Sequence, residues 1–437
     1  MLDRKLLREN PDAIRTAMRN RGVDADVDEL LRMDGQWRHV LQELEETRAQ
    51  HKKESAEAAD DPSKREGLKE LKNRIKSMEI RLEELELTLD ERFSRLPNVP
   101  LSDTPVGPDA SANVVVREFG EKPAFDFEPK HYMEIAEHLD LIDVESASTV
   151  SGTRFGYLKG GAALLEFALV QLALQRLTDG PTVAGLVSRN ASGLASTPFR
   201  AIVPPVLIRP EMMNAMGFVE RVNTTRGSDE IYWLEKDGLY LVGTSEQSVG
   251  PMHYDRIIDA TSLPLRYASF STCFRREAGA AGKDTRGILR VHQFDKLELF
   301  TVCLPEHSVG EHQLLLAAQE SLLQELGLHY RVVRLATGDM GAASAATVDI
   351  ETWMPGQGEY RETHSTSNTT DYQARALKTR YREDGEVRGP VHMLNGTALA
   401  VGRMVIAIIE QNQTSDGTVV IPEVLRPFMG GRTELTE

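Results

Sequence analysis

Cysteine is scarce in this sequence of 437 residues, which contains only Cys273 and Cys303. Two cysteines supply neither a disulfide framework nor a metal site with three or four thiolate ligands in one chain. Such usage is typical of a reducing compartment. The sequence therefore predicts a cytoplasmic protein without disulfides and without zinc.

Basic residues are outnumbered as well. The 51 Lys and Arg residues face 67 Asp and Glu residues, which gives a formal net charge of −16 at pH 7. Because contacts with phosphate need positive charge, a chain this acidic is a poor non-specific binder of nucleic acid. An RNA partner would then be held by a local basic patch.

Long hydrophobic runs are missing too. The two most apolar stretches, residues 162–174 and 398–409, are interrupted by Glu166 and Arg403. Both are shorter than the roughly 20 residues that cross a membrane. The first residues also lack the apolar run of a signal peptide. These stretches predict buried helices, and we expect no membrane partner.

The sequence does contain enough apolar material for a core, since 41% of its residues are hydrophobic and 27% are charged. This composition excludes a disordered or collagen-like chain, and the length indicates two or three domains. The first hundred residues differ in pattern from the remainder, so we expect these two parts to be separate domains.

Two heptad patterns occupy the first hundred residues. Before them, Asn10 and Pro11 form a helix-start signal, an N-cap followed by proline. The first pattern has spacings of three and four, at Leu30, Met33, Trp37, Val40, Leu44 and Thr47. The second continues for three heptads, at Leu68, Leu71, Ile75, Met78, Leu82, Leu85 and Leu89. Joined by the polar residues 52–67, they predict an antiparallel coiled-coil hairpin.

The remainder of the sequence alternates short strand patterns with helical ones. Strands are predicted at residues 231–241, 265–274 and 289–302, and a helix at residues 312–326. Strands in hairpin-like groups with helices between them favour an α+β fold, an antiparallel sheet with packed helices. Neither a dinucleotide-binding glycine fingerprint nor a P-loop is present, so a Rossmann or P-loop nucleotide site is not supported.

The densest cluster of chemically informative residues is the hairpin of residues 274–298. Arg275 and Glu277 are two apart, which predicts that they share one face of the first strand. An arginine there can clamp a phosphate, and a carboxylate can accept a hydrogen bond from an amino group. Phe294 and Glu298 share a face of the return strand, and Phe294 can stack on a base. The alternative is a solvated charged hairpin.

Three further clusters carry weaker signals. Thr244 and Glu246 are expected to point the same way on a strand, or else to form a solvent-exposed edge. Glu362 and Ser365 offer oxygen ligands suited to Mg²⁺, the alternative being a polar edge strand. Arg403 adjoins an apolar helix and must be paired there, either with an anionic ligand or with a carboxylate.

These clusters together resemble a known family. Residues 274–298 resemble motif 2 of the class II aminoacyl-tRNA synthetases, and residues 395–403 resemble motif 3. With the coiled-coil hairpin, the chain from Met1 to about Gly431 resembles the bacterial-type seryl-tRNA synthetases. Pro205 resembles the motif 1 proline at that family's dimer interface.

The resemblance implies both an architecture and an activity. A helical domain at residues 1–103 would carry a coiled-coil arm that binds tRNA, and residues 104–437 would form a class II catalytic domain. The implied homodimer ligates L-serine to tRNA(Ser) through seryl-adenylate, uses ATP and Mg²⁺, and releases AMP and pyrophosphate. Whether tRNA(Sec) is a second substrate is left open.

The resemblance also assigns roles to residues. The implied catalytic residues are Arg275, Glu362 and Arg403. The implied serine ligands are Thr244, Glu246, Arg275, Glu298, Asn395 and Thr397. The implied ATP ligands are Arg275, Arg276, Glu277, Val291, Phe294, Glu362, Thr363, His364, Ser365 and Arg403, with adenine between Phe294 and Arg403. Glu362 and Ser365 would hold the Mg²⁺.

Three features depart from the family pattern. Gln247 follows the Thr-Ser-Glu run where an aliphatic residue is usual, His364 lies beside the expected ATP site, and residues 181–198 resemble an insertion. They leave open a specialised paralogue, either biosynthetic or inhibitor-resistant. An amino acid:carrier-protein ligase is disfavoured because the arm is present. A non-catalytic paralogue is disfavoured because Arg275, Glu298 and Arg403 are all present.

Overall fold

The computed structural model of the chain describes residues 1–57, 65–191, 193–218, 230–277 and 286–436. It divides into two compact units, Met1–Val99 and Pro100–Glu437. The predicted domain boundary, after Asp103, lies a few residues beyond the end of the first unit. Among the described residues, no helix combines the length and the apolar character needed to cross a membrane.

The elements described in the first unit, over residues 1–57 and 65–99, are all helices. Asn10 caps the second helix by accepting a hydrogen bond from the backbone N–H of Ala13, as predicted. The two heptad segments form long paired helices, and their seam is buried at Val40, Leu44, Met78 and Leu89. The coiled-coil prediction is confirmed for these helices, whereas residues 58–64 of the predicted tip lie outside the described residues. The helices are α1 (Arg4–Glu9), α2 (Pro11–Asn20), α3 (Val27–Glu57) and α4 (Arg65–Ser94).

The second unit contains the other helices and the strands that the structure describes. Its helices are α5 (Tyr132–His138), α6 (Val144–Ser151), α7 (Gly160–Thr178), α8 (Gly180–Asn190), α9 (Pro210–Met216), α10 (Glu246–Val249), α11 (Ser308–Glu325), α12 (Tyr372–Ala376) and α13 (Val401–Gln411). The first strands are β1 (Val114–Phe119), β2 (Ile142–Asp143), β3 (Tyr157–Leu158), β4 (Arg200–Ile202), β5 (Leu207–Ile208), β6 (Trp233–Leu234), β7 (Leu239–Leu241), β8 (Ile257–Asp259) and β9 (Leu265–Phe274). The later strands are β10 (Gln293–Cys303), β11 (Tyr330–Arg334), β12 (Ala346–Met354), β13 (Glu359–Asn368), β14 (Arg380–Glu383), β15 (Glu386–Pro390), β16 (His392–Ala400), β17 (Val419–Val420) and β18 (Glu434–Leu435).

A large sheet organises the second unit. Its eight strands are ordered β1-β11-β12-β13-β16-β10-β9-β4, and neighbours are antiparallel except for the parallel pair β4 and β9. The predicted α+β class, with an antiparallel sheet and flanking helices, is therefore confirmed. The predicted strand at residues 265–274 matches β9, whereas the one at residues 231–241 is two short strands, β6 and β7.

Alternation along β10 gives the sheet one apolar and one polar face. Leu297 and Leu299 are fully buried in the core that contains residues of α7, α11 and α13. Phe294, Lys296 and Glu298, on the other parity, line cavities. Because side chains alternate across a strand, burying one face in helices leaves the other face available for a binding site.

Residues 181–198, expected to be an insertion, contain most of α8. Val183, Leu186 and Val187 of this helix are buried in the main core. The segment therefore contributes to the packing of the second unit. Its status as an insertion stays a prediction.

Candidate active site

Two adjoining cavities lie on the polar face of the sheet. The first has a volume of about 700 Å³ and the second about 600 Å³. Both are lined by the same six residues, Phe218, Thr244, Arg275, Lys296, Glu362 and Thr397. The cavities therefore form one continuous pocket over β10, β13 and β16.

The first cavity holds most of the residues expected to bind ATP. Phe294 and Val291 provide apolar surface, and Thr363 also lines the wall. Glu277 accepts a hydrogen bond from Arg290 at 2.7 Å, so its carboxylate is oriented beside the cavity. Arg403, in the first turn of α13, donates to the backbone oxygen of Glu362 at 2.6 Å and forms an ion pair with the Glu362 carboxylate at 3.6 Å, as the alternative of a paired carboxylate predicted. The structure thus pairs Arg403 with a residue of the site, and the cavity remains open to an anion.

Arg275 lies between the two cavities and lines both. Its Nε donates to the backbone oxygen of Gly243 at 3.1 Å, and its guanidinium carbon lies 5.4 Å from the centre of the Phe294 ring. The expectation that Arg275 and Glu277 share a strand face is wrong, because β9 ends at Phe274 and Glu277 has a φ of 52°. Both side chains nevertheless reach the first cavity.

The second cavity contains a closed set of hydrogen bonds. Thr244 Oγ1 donates to Glu298 Oε2 at 3.1 Å and accepts from Lys296 Nζ at 3.2 Å, while Lys296 forms an ion pair with Glu298. Asn395 and Thr397 of β16 line the same cavity. These groups surround a small polar volume, and this is the environment that an amino acid with a polar side chain requires.

Glu246 is a further carboxylate of this cavity. It is 6% exposed, and its Oε2 has no hydrogen-bond partner among the described residues. Burial, followed by repulsion from Glu298, raises the pKa of Glu246 to about 8, whereas Lys296 and Arg275 oppose the shift. A buried carboxyl oxygen without a partner, facing a cavity, is suited to receive a cationic group.

The expectation that Thr244 and Glu246 share a strand is wrong. The chain turns after β7, and Glu246 begins α10. The N–H of Gln247 donates to the oxygen of Thr244 at 3.2 Å, and that of Val249 to the oxygen of Ser245 at 3.0 Å. In a helical turn, residues two apart do not share a face as they do on a strand. The side chains of Thr244 and Glu246 nevertheless both line the second cavity.

A β-bulge on β13 brings Glu362 and Ser365 together. Ile350 pairs with His364 and Glu351 pairs with Glu362, so Thr363 is an extra residue in β13. Residues three apart on a regular strand face opposite sides, but one inserted residue restores the same side. Glu362 and Ser365 accordingly line the second cavity together.

Asp349, on the neighbouring strand β12, joins this oxygen-rich surface. Ser365 hydrogen-bonds to it, and Asp349 Oδ1 has no hydrogen-bond partner among the described residues. Burial and the nearby Glu362 raise the pKa of Asp349 well above its usual range. Three oxygen-bearing side chains fit a hard divalent cation that shares its coordination with substrate phosphates. In the described parts of the chain, no cluster of three or more His, Cys, Asp or Glu side chains forms a self-contained metal site.

Two residues expected to bind ATP line neither cavity. The His364 side chain is buried in an interior strand, and its ring nitrogens lie 2.9 Å from Thr363 Oγ1 and 3.0 Å from the Ala398 oxygen. Burial lowers the pKa of His364 to about 3, so the imidazole is neutral. An ATP contact through this side chain is therefore wrong, as is the edge-strand alternative, because β13 lies between β12 and β16. The Arg276 guanidinium lies over the ring of Tyr232, 5.1 Å from its centre.

The structure adds residues that the sequence analysis missed. Lys296, Arg290, Asp349 and Gln247 all line the joined pocket. Lys296 lies between Phe294 and Glu298 on the same face of β10, so the alternation of side chains along a strand was enough to predict it as a pocket residue. Gln247 accepts a hydrogen bond from the Gly243 N–H at 2.8 Å. It thereby helps to position Gly243, whose backbone oxygen accepts the hydrogen bond from Arg275.

Comparison with known proteins identifies two family matches. The seryl-tRNA synthetase N-terminal domain matches residues 1–100, and the class II tRNA synthetase core domain for G, H, P, S and T matches residues 232–412. The serine–tRNA ligase of Corynebacterium diphtheriae is 44% identical, over 98% of each chain.

Solved structures agree with these matches. The seryl-tRNA synthetase of Pyrococcus horikoshii, complexed with ATP, is 36% identical, with a TM-score of 0.88, over 100% of this chain and 99% of that one. The cytoplasmic serine–tRNA ligase of Naegleria fowleri, in complex with AMP, is 31% identical, with a TM-score of 0.86, over 100% and 99%.

Proposed function

The chain belongs to the seryl-tRNA synthetase family, and we propose that its joined pocket activates L-serine with ATP and transfers it to tRNA(Ser). The serine carboxylate attacks the α-phosphorus of ATP, which gives seryl-adenylate and pyrophosphate. A terminal ribose hydroxyl of the tRNA then takes the seryl group, and AMP leaves. The observation that carries this proposal is the continuity of the cavity at Phe294 with the polar cavity at Glu246 and Glu298.

Arg275 is the group that we place at the reacting phosphate. It is shared by both cavities and held by the Gly243 oxygen, so it can contact the α-phosphate and the serine carboxylate together. In-line displacement at phosphorus depends mainly on positioning and on neutralisation of charge. Arg403 would stabilise the leaving phosphates, and Phe294 would stack on the adenine, whose amino group Glu277 reads.

The polar cavity is proposed to select serine. The unpartnered oxygen of Glu246 would accept from the ammonium group, and Glu298 from the side-chain hydroxyl. Thr244, Asn395 and Thr397 complete the surface. A site that hydrogen-bonds a hydroxyl rejects an analogue without one, because its own polar groups are then left unpaired.

Exchange of pyrophosphate into ATP, dependent on the added amino acid, tests this function in the purified full chain. We expect exchange with serine and at least about tenfold less with alanine, glycine or threonine. Serine-dependent charging of a tRNA pool tests the second step. Equal exchange with serine and alanine, or no exchange with any of them, contradicts the proposal.

We also propose that Mg²⁺ with ATP is the cofactor and that zinc is not. Glu362 and Ser365 would hold the ion, and Asp349 adds an oxygen nearby. Bound there, the ion would neutralise phosphate charge.

Chelation with EDTA is expected to reduce serine-dependent exchange to below about 1%, since hard oxygen ligands cannot replace the lost positive charge. Added Mg²⁺ should restore the activity, while metal analysis of the active protein should find no stoichiometric zinc. Full exchange without divalent cations, or one tightly bound zinc per chain, contradicts this cofactor assignment.

A homodimer is proposed through α7 and the segment around Pro205. Leu165, Ala168 and Leu172 face the chain's own core, whereas Leu164 and Phe167 are exposed, Phe167 by 63%. One apolar face of α7 is buried in the chain's own core, and the second apolar face would be buried against the other subunit. Obligate interfaces have this apolar character.

Phe167→Glu is expected to raise the dissociation constant of the dimer at least about 100-fold, because it puts a charge into an apolar interface. Analytical ultracentrifugation measures the change, with Val150→Glu on α6 as a control, since Val150 is equally exposed and apolar. A wild-type chain that is monomeric and fully active, or a Phe167→Glu variant that stays dimeric, contradicts the interface.

The division of labour within the chain is likewise a proposal. Residues 1–103 would bind tRNA, and residues 104–437 would perform both chemical steps. A cytoplasmic location is supported by the two buried cysteines, which are free thiols.

A further inference from the structure

Lys296 is buried at the centre of the pocket, and the assigned roles above do not use it. It is 9% exposed and lines both cavities. Its ammonium group contacts two proposed serine ligands, through an ion pair with Glu298 and a hydrogen bond to Thr244. Burying a lysine costs free energy unless its charge is paired, so the position of Lys296 depends on its contacts with Glu298 and Thr244.

Two of the carboxylates that line the pocket, Glu246 and Glu298, belong to the proposed serine site. Glu246 and Glu298 are both buried and repel each other. Lys296 forms its ion pair with Glu298, which leaves the Glu246 oxygen without a partner. Lys296 therefore compensates Glu298 and leaves Oε2 of Glu246 for the cation of the substrate.

We propose that Lys296 is a positioning residue that holds the Glu298 carboxylate in place as the acceptor for the serine hydroxyl, and so sets the preference for a hydroxyl-bearing amino acid. The inference rests on the proposed function of the pocket. Without Lys296, the Glu298 carboxylate loses its ion pair and competes with Glu246 for the substrate ammonium. The serine hydroxyl then loses an acceptor whose orientation Thr244 also maintains.

Lys296→Met tests the role, because it keeps the length of the side chain and removes the charge. Pyrophosphate exchange should show a KM for serine raised at least about tenfold, with kcat within about threefold of wild type. Alanine exchange should change little, so the discrimination between serine and alanine should fall by about the same factor. Lys296→Arg should restore most of the discrimination, since it returns the charge.

The matched control is Lys122→Met. Lys122 is an exposed lysine whose Nζ lies 3.5 Å from the centre of the Trp353 ring. The Lys122→Met variant should show unchanged pyrophosphate exchange with serine and with alanine. The KM for ATP and the melting temperature report whether each variant is folded. If Lys296→Met does not fold, Lys296→Gln, which is polar and uncharged, carries the same expectation.

Two results overturn the inference. If serine and alanine exchange fall by one common factor, Lys296 only supports the pocket; if neither exchange changes, Lys296 has no role in selection. Wild-type chain without serine-dependent exchange would instead remove the proposed function itself. The wild-type measurement therefore tests the proposed function, and the variants separately test the role of Lys296.

Discussion

Deleting residues 41–85 and bridging the ends is expected to reduce charging of tRNA(Ser) by about two orders of magnitude or more, while serine-dependent pyrophosphate exchange stays nearly intact. The seam between α3 and α4 is buried within the hairpin itself, so its exposed side chains remain for a partner. Phosphate contacts supply most of the affinity of a protein for nucleic acid, and removing them weakens binding steeply. The adenylation pocket is built from residues 216–403, none of which is deleted.

The ends of this deletion are level with each other in the structure. Thr47 lies against Met78 and Arg48 pairs with Glu79, so Leu41 and Leu85 lie at similar heights along the hairpin. Leu89 and Phe93 remain to pack against α3 and preserve the base of the first unit. Charging that survives the deletion, or exchange that is lost without unfolding, contradicts the proposed division of labour.

A finer version of this experiment keeps the coiled-coil arm and replaces individual basic side chains on it. The basic side chains expected to contact phosphates are Arg48, Lys52, Lys53, Lys64, Arg65, Lys69, Lys72 and Lys76, of which Lys64 lies outside the described residues. Lys69, Lys72 and Lys76 are exposed on α4. Replacing each by Gln should lower the slope of log affinity against log salt by about 0.7–0.9 per contact. Gln at the exposed Glu70, Glu83 and Glu84 of the same helix is the matched control and should not weaken binding.

Arg275→Ala is expected to lower kcat/KM for serine-dependent exchange by about 1,000-fold. The guanidinium is shared by both cavities and would contact the charge that develops on the α-phosphate, and losing one such contact typically costs a hundred- to a thousandfold. Arg275→Lys keeps the charge but not the planar fork, so a loss of roughly 10- to 100-fold is expected.

Stability should change little in these variants, because Arg275 lies at the exposed surface of the open pocket. Arg388→Ala is the control, since Arg388 is paired with Glu386 on the β15 strand outside the pocket. An Arg275→Ala variant that keeps more than about a tenth of wild-type kcat/KM would place the phosphate clamp elsewhere.

Features that depend on neighbours in the sequence were predicted well. The heptads of α3 and α4, the Asn10 cap, the bounds of β9 and the buried helix α13 all follow from periodicity or from capping within one turn. These signals are local, because a helix or a strand places its own residues on faces by geometry alone.

The sequence by itself determined the fold class, the family resemblance and most of the residues that line the pocket. The tertiary structure alone decided how they meet. The Thr363 bulge depends on the register against β12, and it turns Ser365 toward Glu362. The burial of His364 depends on the strand order, and the bond from Lys296 to Thr244 depends on a turn distant in sequence. Register, strand order and long-range ion pairs arise from packing between segments, which no single segment encodes.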